Sequence, residues 1–493
     1  MKRQTSLTTN FIMNTFLTIS SFIFPLITFP YVSRILLPVG IGKISFATSI
    51  VTYFSMLAQL GIPTYGIRAC ARVRDNSEEL TSTVHELFVI NLIMSLFSYI
   101  IFFLVVRVTP KLWQERFLFF VISSTIFFNL IGMEWLYKAL EQYTYITIRS
   151  VFFKFVAIIA MFLLVHEQSD YIFYSAISIF AASASGILNF FNVHKLIAKK
   201  RNHPYNLHRH MKPVLIFFAM SCATTVYTNL DTVMLGFLQS DTEVGLYNAA
   251  VKVKTILLGF VTSLGTVLLP RVSYYLENNM VEEFRRITAK AMHFVFLLAG
   301  PLCIYFMIFA EESILFLAGS AYSGAVLSMQ IIMPTLILVG LTNIMGIQML
   351  VPMGKEIYVL YSEIVGACLD LILNMILIPF YGAAGAAIGT LVAETAVLLI
   401  QFYFLKTEVW ETYREICSGT LAGAVLAGAL ASIWMKYMNW RPFFLLLVSS
   451  VSFFGIYFIF LLIRRDTVMI GILDRILKNK YTFFSSLADR KTK

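Results

Sequence analysis

The chain has 493 residues, 58% of them hydrophobic and only 13% charged, with a formal net charge of +11. A soluble protein of this length could not hide so much apolar surface from water, so the solvent for most of it is lipid. The positive charge gathers in the loops on one side of the membrane, which makes it a topology signal and not a nucleic-acid surface.

Fourteen apolar runs follow one another along the chain. They are predicted to be transmembrane helices at 10–34, 42–62, 85–106, 117–137, 146–166, 170–194, 213–238, 245–270, 291–309, 326–351, 358–379, 383–405, 415–436 and 442–463. Each is close to the ~20 residues that cross a bilayer core at ~1.5 Å per residue. The first run is too long for a signal-peptide core and lacks a small-residue cleavage site, so it reads as a retained helix. The connections are short, and no extramembrane domain fits between spans.

Direction follows from lysine and arginine. With the N-terminus inside, the inner loops and tails hold 27 of the 38 Lys and Arg residues, and the outer loops hold 6. Both termini and the loop 195–212 are therefore expected on the cytoplasmic side. The basic tail 464–493 is expected to lie along anionic headgroups. Cys70, Cys222, Cys303, Cys368 and Cys417 occur singly, mostly within apolar runs, and read as small buried hydrophobes. His203, His208 and His210 share a basic loop with no cysteine or carboxylate beside them, and read as solvated. No metal site and no cofactor is expected.

A shift of 203 residues superposes spans 1 and 2 on spans 7 and 8. Gly42 falls on Gly245, Ala47 on Ala250, Thr52 on Thr255, Arg68 on Arg271, Asn76 on Asn279 and Glu79 on Glu282. Polar stripes repeat at the same shift. Thr18, Ser21, Pro25 and Thr28 on span 1 match Ser221, Thr224, Thr228 and Asp231 on span 7. Gly42, Ser45, Ser49, Thr52 and Gln59 on span 2 match Gly245, Asn248, Lys252, Thr255 and Thr262 on span 8. Small polar residues also serve simply to pack helices closely. Four stripes in register point further, to one cavity lined by spans 1, 2, 7 and 8. Because six spans separate the copies, the halves share an orientation, and transporters commonly hold substrate between such halves.

An ionised side chain near the centre of a span costs roughly 2.5–3.5 kcal/mol, so each needs a partner or a purpose. Lys252 falls on the span-8 stripe whereas Lys254 does not. Asp231 lies at a similar depth on span 7, and a structural Asp–Lys pair accounts for both residues as well as a substrate site does. Span 5 carries Arg149 and Lys154, with Glu134 on span 4 expected to neutralise one of them. Glu363, Asp370 and Asn374 on span 11 share a helical face, and span 12 carries Glu394. Glu134, Asp370 and Glu394 are candidates for ion coupling, with mutual pairing as the plainer account. No catalytic motif is present: there is no nucleophile elbow, phosphate loop or zinc-binding helix.

Phe29–Ala47 (FPYVSRILLPVGIGKISFA) and Leu57–Ala71 (LAQLGIPTYGIRACA) resemble the opening of polysaccharide flippases of the Wzx/RfbX type. These belong to the multidrug/oligosaccharidyl-lipid/polysaccharide exporter superfamily. Asn229–Phe237 (NLDTVMLGF), Val244–Val253 (VGLYNAAVKV), Val267–Ser273 (VLLPRVS) and Tyr381–Thr390 (YGAAGAAIGT) extend the likeness through span 12. The chain departs from the common pattern at Leu37-Pro38-Val39, where a glycine and an acidic residue are often found.

The resemblance implies an all-α polytopic bundle: a six-helix lobe at 1–212, a second at 213–414, two further spans at 415–463 and a basic tail at 464–493. It implies a bacterial cytoplasmic-membrane flippase, not an enzyme, that moves undecaprenyl-diphosphate-linked oligosaccharides. The expected partners are that lipid-linked substrate, membrane lipids and the polysaccharide polymerase and chain-length machinery, with no nucleic acid. By position, Arg34, Lys252, Asp231 and Lys154 are the substrate-binding candidates, and Arg68 and Arg271 are gate or headgroup candidates. A peptidoglycan-precursor flippase, a drug/cation exporter of the same superfamily and a membrane polymerase are the rival readings.

Overall fold

A computed structural model describes residues 7–197, 205–406, 408, 418–438, 440–466 and 468–470. The described residues are almost entirely helical. Among the described residues, eleven helices are long and apolar enough to cross a membrane, with a shorter apolar helix at Arg116–Gly132. Two of the eleven are hairpins in which helix continues through a sharp break, Leu7–Gln59 at Leu37 and Glu356–Phe404 at Gly382. Splitting both hairpins and adding the shorter helix gives fourteen, the number of predicted spans. Most of the tail 464–493, the centre of the loop 195–212 and Cys417 lie outside the described residues.

The chain gathers into two compact units, Met1–Asn248 and Ala249–Lys493. In the first, a core forms where spans 2, 3 and 4 end. Ile62, Leu80, Val84, Leu87, Trp135 and Leu136 are buried there. Span 3 (Ser77–Val108) begins at Asn76, whose side chain accepts from the amides of Glu78 and Glu79, each at 3.2 Å. An asparagine cap with acidic residues in the first turn satisfies orphan donors and suits the positive end of the helix. Tight helix approach depends on glycine at Gly66, where a Cβ would lie 2.8 Å from the Trp135 ring.

One expectation fails in this core. His210 is not solvated but 3% exposed, at the start of the span-7 helix His208–Leu238. Its ring nitrogens meet Glu86 at 2.9 Å and the Tyr65 hydroxyl at 2.8 Å, and Arg209 donates to the same carboxylate at 2.8 Å. Asn206 adds a backbone N–H at 3.0 Å. A carboxylate buried this deeply has to be met by donors, and the stretch Asn206–His210 supplies them, with Tyr65 behind the histidine.

In the second unit, spans 13 and 14 pack on each other and are fastened to span 9 (Val281–Ile308). Tyr305 hydroxyl lies 3.0 Å from both Leu446 O and Ser449 Oγ, and Tyr457 donates to Leu297 O at 2.7 Å. His293 and Asp466 form a buried pair at 2.9 Å just beyond the end of span 14. Buried tyrosines need partners for their hydroxyls, and these use them to tie elements 141 to 160 residues apart.

Candidate functional site

The shift of 203 found in the sequence reappears as a contact. At the turn between spans 1 and 2, a Cβ on Gly42 would strike the carbonyl of Asp241; at the turn between spans 7 and 8, a Cβ on Gly245 would strike the carbonyl of Pro38. Gly42 corresponds to Gly245, and Pro38 corresponds to Asp241, by that same shift. The two turns therefore cross in a reciprocal way, as symmetric partners do. Glycine at both positions is what allows backbone to touch backbone. Nearby, Gly236 leaves room for the ring of Phe46, which packs edge-on against Phe237 and Phe119.

Cations lock this end. Lys111 donates to the carbonyl of Gly236 and reaches that of Gln239 at 3.4 Å, capping the terminal carbonyls of span 7. A cation there also meets the negative end of the helix dipole. Lys43 pairs with Glu115 at 2.5 Å, and Glu115 accepts from Tyr171 at 2.8 Å.

The candidate residues fall in different settings. Lys154 on span 5 donates to Ser20 at 3.0 Å and Ser21 at 2.9 Å on span 1, so it lies on the predicted polar stripe. Asp231 is buried and accepts from the Tyr247 hydroxyl. Arg34 is exposed and donates to Pro30 O on its own helix. Lys252, in the second compact unit, is half-buried on the helix Asp241–Glu277. Arg68 and Arg271 are exposed, and Arg271 lies 3.2 Å from the Tyr275 hydroxyl.

Glu134 makes its direct ion pair with Lys138 one turn along its own short helix at 3.2 Å, and its charge also acts on both span-5 cations, Arg149 and Lys154. Arg149 donates to Ser185 O at 2.6 Å and lies over the faces of Tyr137 and Tyr145. On span 11 Ser362, Gly366, Asp370 and Asn374 are buried, and Glu363, on the same side as Asp370, is half-buried. Asp370 and Asn374 sit against Gly389 of span 12, where a Cβ would lie 3.0 Å from the aspartate oxygen. Glu394 is buried on the same hairpin.

One feature escaped the sequence reading and a second was legible only in part. The Glu86–His210–Arg209 cluster joins residues more than 120 positions apart and carries no local motif. The second is a polar cavity of about 190 Å³ between spans 2 and 7. Its span-2 wall was visible as the stripe through Thr52 and Gln59, but its depth was not. Among the described residues no cluster of metal-ligating side chains occurs. An apolar cavity of about 530 Å³ lies in the second unit, lined by Leu257, Phe260, Phe294, Leu302, Phe306 and Phe454 among others.

Comparison with known proteins gives this bundle a family. The family described as "Polysaccharide biosynthesis protein" matches residues 7–276, more than half of the chain. The chain belongs to that polysaccharide biosynthesis family. A second family, MatE, matches residues 217–376. The "Putative O-antigen transporter" of Escherichia coli (strain K12) is 25% identical over 389 residues, covering 78% of this chain and 94% of that one. The "Probable flippase AglR" of Haloferax volcanii is 27% identical over 218 residues, covering 44% of this chain and 45% of that one. Among solved structures, the lipid II flippase MurJ in an inward closed conformation superposes with TM-score 0.71 at 16% identity, covering 94% of this chain and all of that one. A multidrug resistance MATE transporter in an inward-facing conformation superposes with TM-score 0.61 at 12% identity, covering 84% and 97%. The chain shares the fold of these two transporters.

Proposed function

We propose that the protein is a flippase that moves undecaprenyl-diphosphate-linked oligosaccharide repeat units across the cytoplasmic membrane, by alternating access, for surface polysaccharide synthesis. The observation that supports this most is Lys154. Its ammonium lies within a span, is held by the hydroxyls of Ser20 and Ser21, and forms no ion pair among the described residues. Glu134 acts on it only at a distance, and a membrane cation whose direct contacts are hydroxyls is suited to meet an anion that arrives and leaves. Arg34 and Lys252 are the further cations assigned to the diphosphate. Glu134, Asp370 and Glu394, the last two buried on the span-11/12 hairpin, are assigned to ion coupling, and Arg68 and Arg271 to the gate or headgroups. With the topology expected from charge, the crossing of the two turns lies at the outer face and is the seal that must part for release. The apolar cavity of the second unit has the lining that a polyprenyl chain would need.

The test is transport in proteoliposomes. Translocation of the lipid-linked oligosaccharide without any new glycosidic bond separates a flippase from a polymerase, and competition by lipid II separates the two flippase readings. Lys154→Gln should lower transport roughly ten- to a hundredfold, the worth of a charge-assisted hydrogen bond to the headgroup. Lys154→Arg should keep most of it. Normal transport by a variant with Gln at Lys154, Lys252 and Arg34 together would remove the diphosphate from this account.

A further inference from the structure

Spans 2 and 7 touch closely at both ends and part in the middle. At one end the Gly236 backbone takes the Phe46 ring. At the other, Gly61 adopts φ 74°, and a Cβ on it would lie 2.5 Å from Phe218 N and 2.7 Å from the Phe217 carbonyl carbon. Helices held this tightly by glycine normally close the space between them with side chains. Here a cavity of about 190 Å³ is left, and Thr52, Ser55, Gln59, Ser221 and Thr225 supply its polar wall.

The hydrogen bonds of that wall leave a defined set of free valences. Ser55 Oγ accepts from Gln59 Nε2 at 3.0 Å and from Asn129 Nδ2 at 3.1 Å. With both lone pairs used, its proton is left to donate. Thr52 and Ser221 donate to Thr48 O at 2.7 Å and Phe217 O at 3.0 Å on their own helices, which leaves their lone pairs to accept. Met56 and Pro63 add apolar surface. No ionisable side chain lines the cavity. A diphosphate there would be desolvated without a counter-charge, and an alkyl chain would leave the hydroxyls and the amide unpaired. A sugar ring meets all three conditions, because its hydroxyls donate and accept and its C–H face is apolar.

We infer that this cavity is a neutral sugar subsite, which reads part of the oligosaccharide while the diphosphate is held elsewhere by the cations. The inference rests on the flippase reading above and adds where the substrate's sugars are recognised. Substitutions here change which oligosaccharide is accepted and leave the affinity for the bare lipid diphosphate unchanged.

The experiment measures binding to the full-length protein in nanodiscs. The probes are undecaprenyl diphosphate alone and the same lipid carrying glucose, galactose or N-acetylglucosamine. In the wild type, at least one glycosylated probe binds about tenfold more tightly than the bare lipid, as two added hydrogen bonds would give. Gln59→Leu, and separately the smaller change Ser221→Ala, cut that preference to about twofold or less, with bare-lipid binding kept as the check on folding. If no glycosylated probe is preferred, or if the preference survives both substitutions, the cavity holds water only and the inference is overturned. If the wild type binds neither bare nor glycosylated lipid, the flippase reading itself fails, an outcome distinct from the other two.

Discussion

The same two helices, span 2 and span 7, behave differently at their two ends. Near the turns Gly236 of span 7 takes the Phe46 ring of span 2 and, through Gly42 and Gly245, the two turns cross backbone to backbone; Lys111 and the Lys43–Glu115–Tyr171 group bind the surrounding elements together. Toward Gly61 the two helices enclose a hydroxyl-lined cavity. Contact made of backbone has no side chains to adjust, so it is either made or broken. A cavity walled by side chains can instead be retuned by substitution. On the proposed function the first end acts as a seal and the second as a reader, and the two are expected to respond to mutation in opposite ways.

The sharpest way to break that contrast is to give the seal a side chain. Gly42→Leu or Gly245→Leu should prevent the turns from crossing, because the obstructing atoms are carbonyl groups that cannot rotate away. Overpacking against fixed atoms costs about 1–3 kcal/mol. Placed on an open–closed equilibrium, that amounts to a shift of about 5- to 150-fold toward the open state. A single cysteine at Ser45, in a background without native cysteines, should react correspondingly faster with a water-soluble maleimide. An unchanged rate in both variants, with the protein present in the membrane, would show that the crossing is only packing.

A smaller effect in the same direction is expected from Lys111→Ala. The seal keeps its backbone contacts, but the terminal carbonyls of span 7 lose their cation. A charge at a helix C-terminus is worth about 0.3–1 kcal/mol, and up to ~2 kcal/mol when partly buried. The Ser45 cysteine should then label about two- to tenfold faster, with Lys111→Arg close to the parent. Lys111→Ala labelling faster than Gly42→Leu would reverse the ranking of backbone over charge.

The sequence made the spans legible because lipid enforces length and hydropathy on each one separately. It also made the repeat legible, since Gly42 and Gly245 are identical at equal spacing, and the reciprocal contact between their turns follows that register. Lys154 was flagged because a charge inside a span stands out. What it bonds to, Ser20 and Ser21, needed the fold, because the pairing spans more than 130 residues. Glu134, expected to neutralise a span-5 cation, does act on Arg149 and Lys154, but its direct partner is Lys138, four residues along its own helix. Glu363 lies about 20° from Asp370 around the helix, on the face read from the sequence, but is only half-buried where Asp370 and Asn374 are buried. How deeply a face is covered depends on the neighbouring helices.

The smallest effect, and the only one expected to stabilise, belongs to the turn within the seal itself. Leu37 has φ 58° and ψ 176°, a conformation that suits glycine and strains a residue with a Cβ by about 1–3 kcal/mol. The break in the span-11/12 hairpin, at φ 52° and ψ −127°, is made by Gly382. At the repeat-related turn between spans 7 and 8, Gln239 solves the same problem with ordinary extended backbone, φ −132° and ψ −159°. Leu37 thus stands where glycine is common in resembling flippases, and the chain keeps the bend without the residue that suits it. Leu37→Gly removes the strain but adds about 0.5–1 kcal/mol of lost chain freedom, so the net gain is about 1 kcal/mol. The purified variant should melt at a higher temperature than the parent, whereas Leu37→Ala, which keeps a Cβ and loses packing, should melt lower. Equal melting of the glycine and alanine variants would mean that packing by the leucine side chain, and not backbone strain, sets the stability of this turn.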